Sequence, residues 1–217
     1  MEEIIISPKK KEVETILITS LLNLVLEDGF IHRKKDNTII RNSKTGFESF
    51  WFDVLNYWPY CEKIESVVYS IRFNQIEDIV NPILYKNGLH KVEYPKTSIT
   101  ICQNISFCKE IYKHEELDIF IKLYINQIKE NGMSFYEKFN NINKVNIYKK
   151  GKILTDNSGL YYIESNLMQS LTLMKLCNDS DFEELVQKYK TLYSNWGGYK
   201  EKGMSAINDL IEYLSKL

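Results

Sequence analysis

Side chains suited to recognising a partner are concentrated between residues 32 and 60 of this 217-residue sequence. A predicted hairpin carries most of the basic residues, and an aromatic cluster surrounds Pro59. The basic residues are His32, Arg33, Lys34, Lys35, Arg41 and Lys44, and the aromatic residues are Trp51, Tyr57, Trp58 and Tyr60. Because tryptophan, tyrosine and arginine contribute most of the energy in protein interfaces, this combination indicates a recognition surface.

Five residues are our candidates for contact with a partner. They are Arg33, Arg41, Trp58, Tyr60 and Arg72, the last of which adds a further positive charge from the fourth predicted strand. Each half of this surface also has an alternative interpretation. Lysines on a hairpin discourage association between sheet edges, and aromatic residues near the end of a strand commonly belong to the core.

Residues that perform catalysis or bind metals show no recognisable spacing. The three histidines, His32, His90 and His114, lie in three different predicted elements, and no Cys-x-x-Cys pair occurs. The sequence also lacks a Gly-x-Ser-x-Gly nucleophile turn and a glycine-rich run that would cradle a phosphate. We therefore expect no metal, no cofactor and no catalytic residue, with an enzyme built from widely dispersed residues as an alternative.

Composition restricts the class of protein. The 28 Lys and Arg balance 29 Asp and Glu, so a nucleic-acid binder driven by bulk positive charge is excluded. The first residues lack the basic-then-apolar order of a signal peptide, and the longest apolar stretch is too short to span a bilayer. The four cysteines are widely spaced, so we expect a cytoplasmic, reduced chain without a membrane partner, in which Cys102 and Cys108 are buried thiols.

The candidate residues require a scaffold, and the hydrophobic pattern predicts one. Apolar residues at three- and four-residue steps predict a helix over residues 10–28, and a period of two between residues 30 and 74 predicts strands in an antiparallel meander. A helix over residues 75–85 follows, and we expect Pro82 to kink it or stop it early. Residues 97–102 predict a further strand that ends at a turn at Gln103-Asn104.

The clearest helix spans residues 115–130, and Asn131-Gly132 is expected to end it. Beyond it the pattern predicts only helices. The predicted fold class is therefore α+β: an antiparallel meander sheet packed on an N-terminal helix and a long central helix, followed by a C-terminal helical half. We divide the chain into a sheet-and-helix domain, 1–132, and a helical extension, 133–217, and whether the two share one core stays open.

The segment from Asn131 to Phe139 reads Asn-Gly-Met-Ser-Phe-Tyr-Glu-Lys-Phe. Together with the order of the preceding elements, it resembles a loose group of small bacterial α+β domains of unknown function in which a helix leads into a Gly-x-x-Phe-Phe-Glu-Lys-Phe-like segment. Members of this sort often look like immunity proteins or accessory proteins of bacterial conflict systems, so the resemblance implies binding. Phe135 and Phe139 are four residues apart, and we expect both to lock the long helix against the sheet.

These observations lead to three functional hypotheses. The first is a non-enzymatic protein-binding protein, such as an immunity-type inhibitor that occludes a bacterial toxin or effector. The second is a nucleic-acid or nucleotide-binding accessory factor that uses the basic strands and the aromatic residues. The third is an enzyme with dispersed catalytic residues.

Overall fold

A computed structural model describes residues 8–57, 59–93, 98–155, 164–194 and 200–217 of the chain. The fold is α+β, as the sequence predicts, with a five-stranded antiparallel meander sheet and seven helices among the described residues. The elements are α1 (Lys10–Val25), β1 (Ile31–Arg33), β2 (Thr38–Ser43), β3 (Gly46–Tyr57), β4 (Cys61–Phe73), α2 (Asn74–Lys86), β5 (Ile101–Ile111), α3 (His114–Lys138), α4 (Ile142–Thr155), α5 (Glu164–Leu176), α6 (Phe182–Ser194) and α7 (Lys200–Leu214). No helix in the described part of the chain is long and apolar enough to cross a membrane.

The chain forms two compact units. One contains the sequence up to Ile71 together with Ile101–Lys138, and the other contains Arg72–Thr100 together with the sequence from Phe139 onward. The first unit holds α1, α3 and the sheet, whereas the second gathers α2 and α4 to α7. A division of the chain at residue 132 stays a prediction, although that residue lies inside α3.

The sheet unit is built on alternating apolar side chains. Its strands follow the order β1-β2-β3-β4-β5, so β1 and β5 form the two edges. Helices α1 and α3 contact each other, and they also contact β3 and β5 respectively. The apolar face predicted for these strands is buried, at Phe50 and Val54 of β3 and at Val67 and Tyr69 of β4, but the intervening Ser66 and Ser70 of β4 are buried too.

Helix α3 does not end at Gly132, as the sequence predicted, but continues to Lys138. The glycine provides space for packing. A Cβ atom at residue 132 would lie 2.2 Å from Cε1 of Phe50 and 3.2 Å from Cδ1 of Tyr69. The absence of a side chain therefore lets the helix backbone approach the aromatic core of the sheet.

Strand β5 is continuous, so the predicted turn at Gln103-Asn104 is wrong. The strand pairs with β4 along its length, and the register shifts once, between Ile64 and Ser66. Because β5 is an edge strand, Cys102 and Cys108 are exposed, contrary to our expectation of buried thiols. None of the four cysteines, all of which lie in the described ranges, forms a disulfide bond.

The helical unit differs from the prediction at two residues. Helix α2 runs through Pro82 to Lys86, so the proline does not stop it early. Phe139 follows the end of α3, and its ring centroid lies 5.0 Å from that of Tyr148. In the sheet unit, by contrast, the ring centroid of Phe135 lies 6.2 Å from that of Tyr69. Phe135 and Phe139 therefore pack against different aromatic rings.

A network of buried polar side chains lies inside the helical unit. The carboxylate of Glu77 accepts hydrogen bonds from Thr100 Oγ1 at 2.8 Å, from Gln169 Nε2 at 2.8 Å and from Asn81 Nδ2 at 3.1 Å. Lys149 Nζ donates to Oε1 of the same glutamine at 2.6 Å. These hydrogen bonds compensate for the free-energy cost of burying the Glu77 carboxylate.

Candidate ligand-binding cavity

Two of the predicted contact residues, Arg33 and Arg41, interact with other side chains of the sheet unit. Arg33 pairs with Asp36 at 2.8 Å, and its guanidinium lies 5.1 Å from the ring centroid of Phe47. Arg41 Nε donates to Glu48 at 2.7 Å, and its guanidinium lies 4.6 Å from the ring centroid of Phe30. Both arginines therefore stabilise the hairpin strands themselves.

The other predicted contact residues have different surroundings. Tyr60, at the turn between β3 and β4, is 79% exposed, which leaves its ring available to a partner. Trp58 lies outside the described residues. Arg72 belongs to the helical unit, is only 8% exposed, and pairs with Asp78 at 2.9 Å. The assignment of these five residues to one contact surface stays a prediction.

A cavity of about 840 Å³ lies at the N-terminal end of α1. The helix, the β1–β2 turn and the adjoining ends of β3 and β4 all contribute to its wall. The lining residues are Lys9, Lys10, Lys11, Glu14, Thr15, Lys34, Asn37, Asn56 and Glu62. The volume falls within the range of roughly 300–1,000 Å³ that is typical of small-molecule sites.

Local contacts hold the hairpin turn against α1. Asn37 has a left-handed backbone, with φ of 52°, which asparagine tolerates at a tight turn. Its Nδ2 donates to Glu14 at 3.3 Å, and its Oδ1 lies 3.1 Å from Nε2 of His32. The side-chain amide of Asn37 therefore holds the β1–β2 turn, which carries Lys34, next to α1, so that both line the same cavity.

Glu62 is the most unusual residue of the cavity. It lies two residues before the buried Ile64 on β4, and alternation places both side chains on the same face of the sheet. It has no exposed surface, and neither carboxylate oxygen has a hydrogen-bond partner within ordinary distance and angle limits, although the backbone N–H of Lys10 lies close enough to favour the ionised form. A buried polar group without a partner costs about 1–3 kcal/mol of stability, so this carboxylate stands out energetically.

The surroundings of Glu62 act on its ionisation in both directions. Burial raises the pKa of this carboxyl above its ordinary value, and the neighbouring Glu14 carboxylate acts in the same sense. The backbone N–H and the ammonium group of Lys10 oppose the rise in pKa. The ionised form is therefore disfavoured overall, although positive charge lies close by.

The cavity carries an excess of positive charge. Four lysines line it, against two glutamates. Lys10 pairs loosely with Glu14 at 3.6 Å, whereas Lys9, Lys11 and Lys34 form none of the ion pairs found in the described part of the chain. These ammonium groups are available to an anionic ligand, since each presents three donors and a full charge.

The arrangement suits an anionic ligand. The lysines attract an anion, and the N-terminus of α1 adds partial positive charge. A cation alone fits less well, because the four lysines repel it. Among the described residues, no group of three His, Cys, Asp or Glu side chains is placed to hold a metal ion.

Sequence reasoning identified Lys34 of this site as part of the basic hairpin but missed the other lining residues. Lys9, Lys10 and Lys11 were visible as a charge run, but their proximity to the hairpin depends on the tertiary fold. No sequence signal pointed to Glu62, because Val67 and Tyr69, the apolar positions of the predicted strand, are an odd number of residues away from it.

Comparisons of the chain with protein-family models, with curated proteins and with solved structures found no match. The resemblance to small bacterial α+β domains therefore stays a prediction. The arguments about function below depend on the geometry and the charge of the cavity.

Proposed function

We propose that this protein is a binding protein for a nucleotide, which it holds in the cavity at the start of α1. The observation that supports this proposal is the set of four lysines around the cavity, of which Lys9, Lys11 and Lys34 form none of the ion pairs found in the described residues. Nucleotide phosphates provide the negative charge that lysines bind. This is the nucleotide-binding alternative of the sequence analysis.

Charge favours a single nucleotide over a long nucleic acid. The whole chain has a net charge of -1, so its field does not attract a polyanion over a long distance. The lysines act locally, within one cavity whose size suits a compound of a few rings and phosphates. We therefore expect a short-range, saturable binding site.

Binding of a nucleoside diphosphate, measured by calorimetry at 20 mM and 200 mM salt, tests the proposal. We expect affinity to fall as salt rises, because the lysine–phosphate attraction is screened. Lys11→Gln and Lys34→Gln should each weaken binding by about three- to tenfold, as expected for the loss of one charged hydrogen bond. Lys44→Gln is the control, because Lys44 is exposed in the β2–β3 turn and does not line the cavity.

The exposed aromatic turn supports a second candidate function. Tyr57 and Tyr60 flank the β3–β4 turn and are 51% and 79% exposed. We propose that a protein partner docks there, such as a toxin or effector that an immunity-type inhibitor would neutralise in the cytoplasm, since tyrosine is enriched at binding hot spots. Tyr60→Ala should reduce capture of a copurifying partner at least tenfold, whereas Tyr85→Ala, on α2, should not; equal capture by both variants would reject this surface.

A further inference from the structure

We infer that β5 is an interaction surface at which a second copy of this chain adds its own β5, so that the sheet continues across a two-fold axis. The inference is independent of the proposed nucleotide binding. Its basis is a contrast between the two edge strands of the sheet, because β1 has features that prevent pairing with another molecule and half of β5 does not.

The two edge strands differ in length and in charge. β1 has only three residues, Ile31–Arg33, and Lys34 and Lys35 follow it directly. β5 has eleven residues, Ile101–Ile111, and the sequence from residue 98 to residue 108 contains no charged residue, no proline and no glycine. Short length, charge and proline are the features that keep an edge strand from pairing with another molecule, so β5 lacks the protection that β1 has.

The C-terminal half of β5 is protected in a different way. Its register against β4 shifts between Ile64 and Ser66, opposite Phe107 and Cys108, and Cys108 has a left-handed backbone with φ of 50°. A bulge of this kind twists an edge strand away from an incoming strand. The regular half, residues 101–106, is therefore the place where a strand can be added.

The regular half of β5 is open to solvent. Cys102, Gln103, Asn104 and Ser106 are exposed, and Ile105 is half-buried. Because consecutive residues point to opposite faces of a sheet, three exposed residues in a row show that neither face of this segment is covered in the described part of the chain. Among the described strands only β4 adjoins β5, so about half of the backbone N–H and C=O groups of β5 point away from the sheet.

A second copy of the chain suits this edge because the exposed run is complementary to itself. Residues that face each other in an antiparallel sheet lie on the same face, so a two-fold axis perpendicular to the sheet passes between one residue and its own counterpart. Asn104 is the middle residue of the exposed run, and on this axis it faces Asn104 of the second copy. The two side chains can bond to each other, because a primary amide both donates and accepts hydrogen bonds.

Charge favours the same register. With the axis at Asn104, Gln103 faces Ile105 of the second copy, and no charged residue lies in the paired run. An axis at Lys109 or at Glu110 would place two like charges directly opposite each other, which is unfavourable. The register at Asn104 therefore pairs the exposed run without electrostatic repulsion.

Sedimentation velocity at protein concentrations up to about 200 μM measures the proposed pairing. We expect the wild type to form a dimer whose share rises with concentration. Asn104→Lys and Asn104→Asp should each weaken dimerisation about tenfold or more, because each places two like charges opposite each other on the axis. An equimolar mixture of the two variants should dimerise again, because opposite charges then meet at the axis.

Gln127→Lys is the matched control, because Gln127 is exposed on α3 and the substitution adds the same charge elsewhere in the sheet unit. It should dimerise as the wild type does. Far-ultraviolet circular dichroism verifies that each variant is folded. Hydrogen exchange of the wild type provides a readout that needs no variant, because backbone amides of residues 102–106 should exchange more slowly at high protein concentration than at low concentration.

Each result supports or overturns the pairing of two copies. A wild-type protein that stays monomeric at the highest concentration overturns it and leaves the edge to a strand of a different protein. Undiminished dimerisation of both charged variants, or a mixture that stays monomeric, overturns the axis at Asn104. Loss of the dimer in each variant and its recovery in the mixture supports the proposal, and the proposed nucleotide binding stands or falls separately.

Discussion

The hydroxyl of Tyr136 donates a 2.7 Å hydrogen bond to the backbone carbonyl of Ser49. The donor lies on α3 and the acceptor on β3, so this bond joins the long helix to the middle of the sheet. Burial raises the pKa of Tyr136 well above its ordinary value, which keeps the hydroxyl protonated as a donor. The contact fixes α3 against the sheet whose far end forms the cavity wall.

Tyr136→Phe should lower the free energy of unfolding by about 1–3 kcal/mol, because it leaves the Ser49 carbonyl without this donor in a buried site. Tyr69→Phe is a matched control within the same aromatic cluster. The hydroxyl of Tyr69 is buried and has no hydrogen-bond partner, so its removal should be neutral or stabilising. Urea unfolding measures both variants, and equal destabilisation by the two would contradict the assignment.

Gly132→Ala should destabilise the sheet unit by about 1–3 kcal/mol, the usual cost of overpacking a core. The new methyl group would meet Phe50 at 2.2 Å, and this neighbour is fully buried. Gly151→Ala, in α4, is the opposite case, because nothing lies within 4 Å of its added Cβ. That variant should gain up to about 1 kcal/mol through helix propensity. Thermal unfolding compares the two, and a stable Gly132→Ala protein would refute the packing role.

Glu62 should make stability depend on pH in an unusual direction. Its pKa is raised in the folded state, so the folded protein holds the proton more tightly than the unfolded chain does. Its contribution to stability is therefore most favourable in acid and decreases as pH rises from the ordinary glutamate value, about 4.3, through the higher folded pKa. Ordinary paired carboxylates show the opposite trend.

Glu62→Gln removes this titration. In the absence of ligand, the variant should be more stable than the wild type at pH 7.5 by on the order of 1 kcal/mol, since a buried charge is lost. The difference should shrink towards pH 4. Chemical unfolding at several pH values measures it, with Glu27→Gln as the exposed control, and a difference that grows in acid would show that Glu62 is stabilised in its ionised form.

Gln169→Leu should cost the helical unit about 2–4 kcal/mol, because the substitution removes donors and acceptors around a buried carboxylate. The glutamine donates to Glu77 at 2.8 Å and to the Ile99 carbonyl at 2.9 Å. Gln187→Leu is the control, because Gln187 is exposed on α6. Circular dichroism during denaturation measures both, and a neutral Gln169→Leu would show that the network contributes little.

Hydrophobic periodicity was sufficient to predict the fold class and most of the elements. Val67 and Tyr69 on β4 are buried, as the period of two predicted, but the pattern did not predict that Ser70 on the opposite face is buried as well. Gly132 was misread, because glycine ends many helices and only the tertiary position of Phe50 shows why it continues this one. The continuation of α2 through Pro82 likewise depends on its surroundings more than on local propensity.

The candidate site was less predictable than the fold. Lys11, Asn37 and Glu62 are far apart in the sequence and meet only when α1, the hairpin and β4 have packed. Arg33 and Arg41 were predicted to contact a partner because of their residue type. In the structure, however, Arg33 pairs with Asp36 and Arg41 pairs with Glu48. Composition shows which residues can bind, whereas the fold determines which of them remain available.

The most direct test of the account is calorimetry of GDP binding to the wild-type protein and to Lys11→Gln at 20 mM salt. We predict saturable binding of one nucleotide per chain, weakened about three- to tenfold in the variant, because one charged contact with phosphate is lost. No binding of GDP at low salt, or equal binding by the two proteins, would contradict the account.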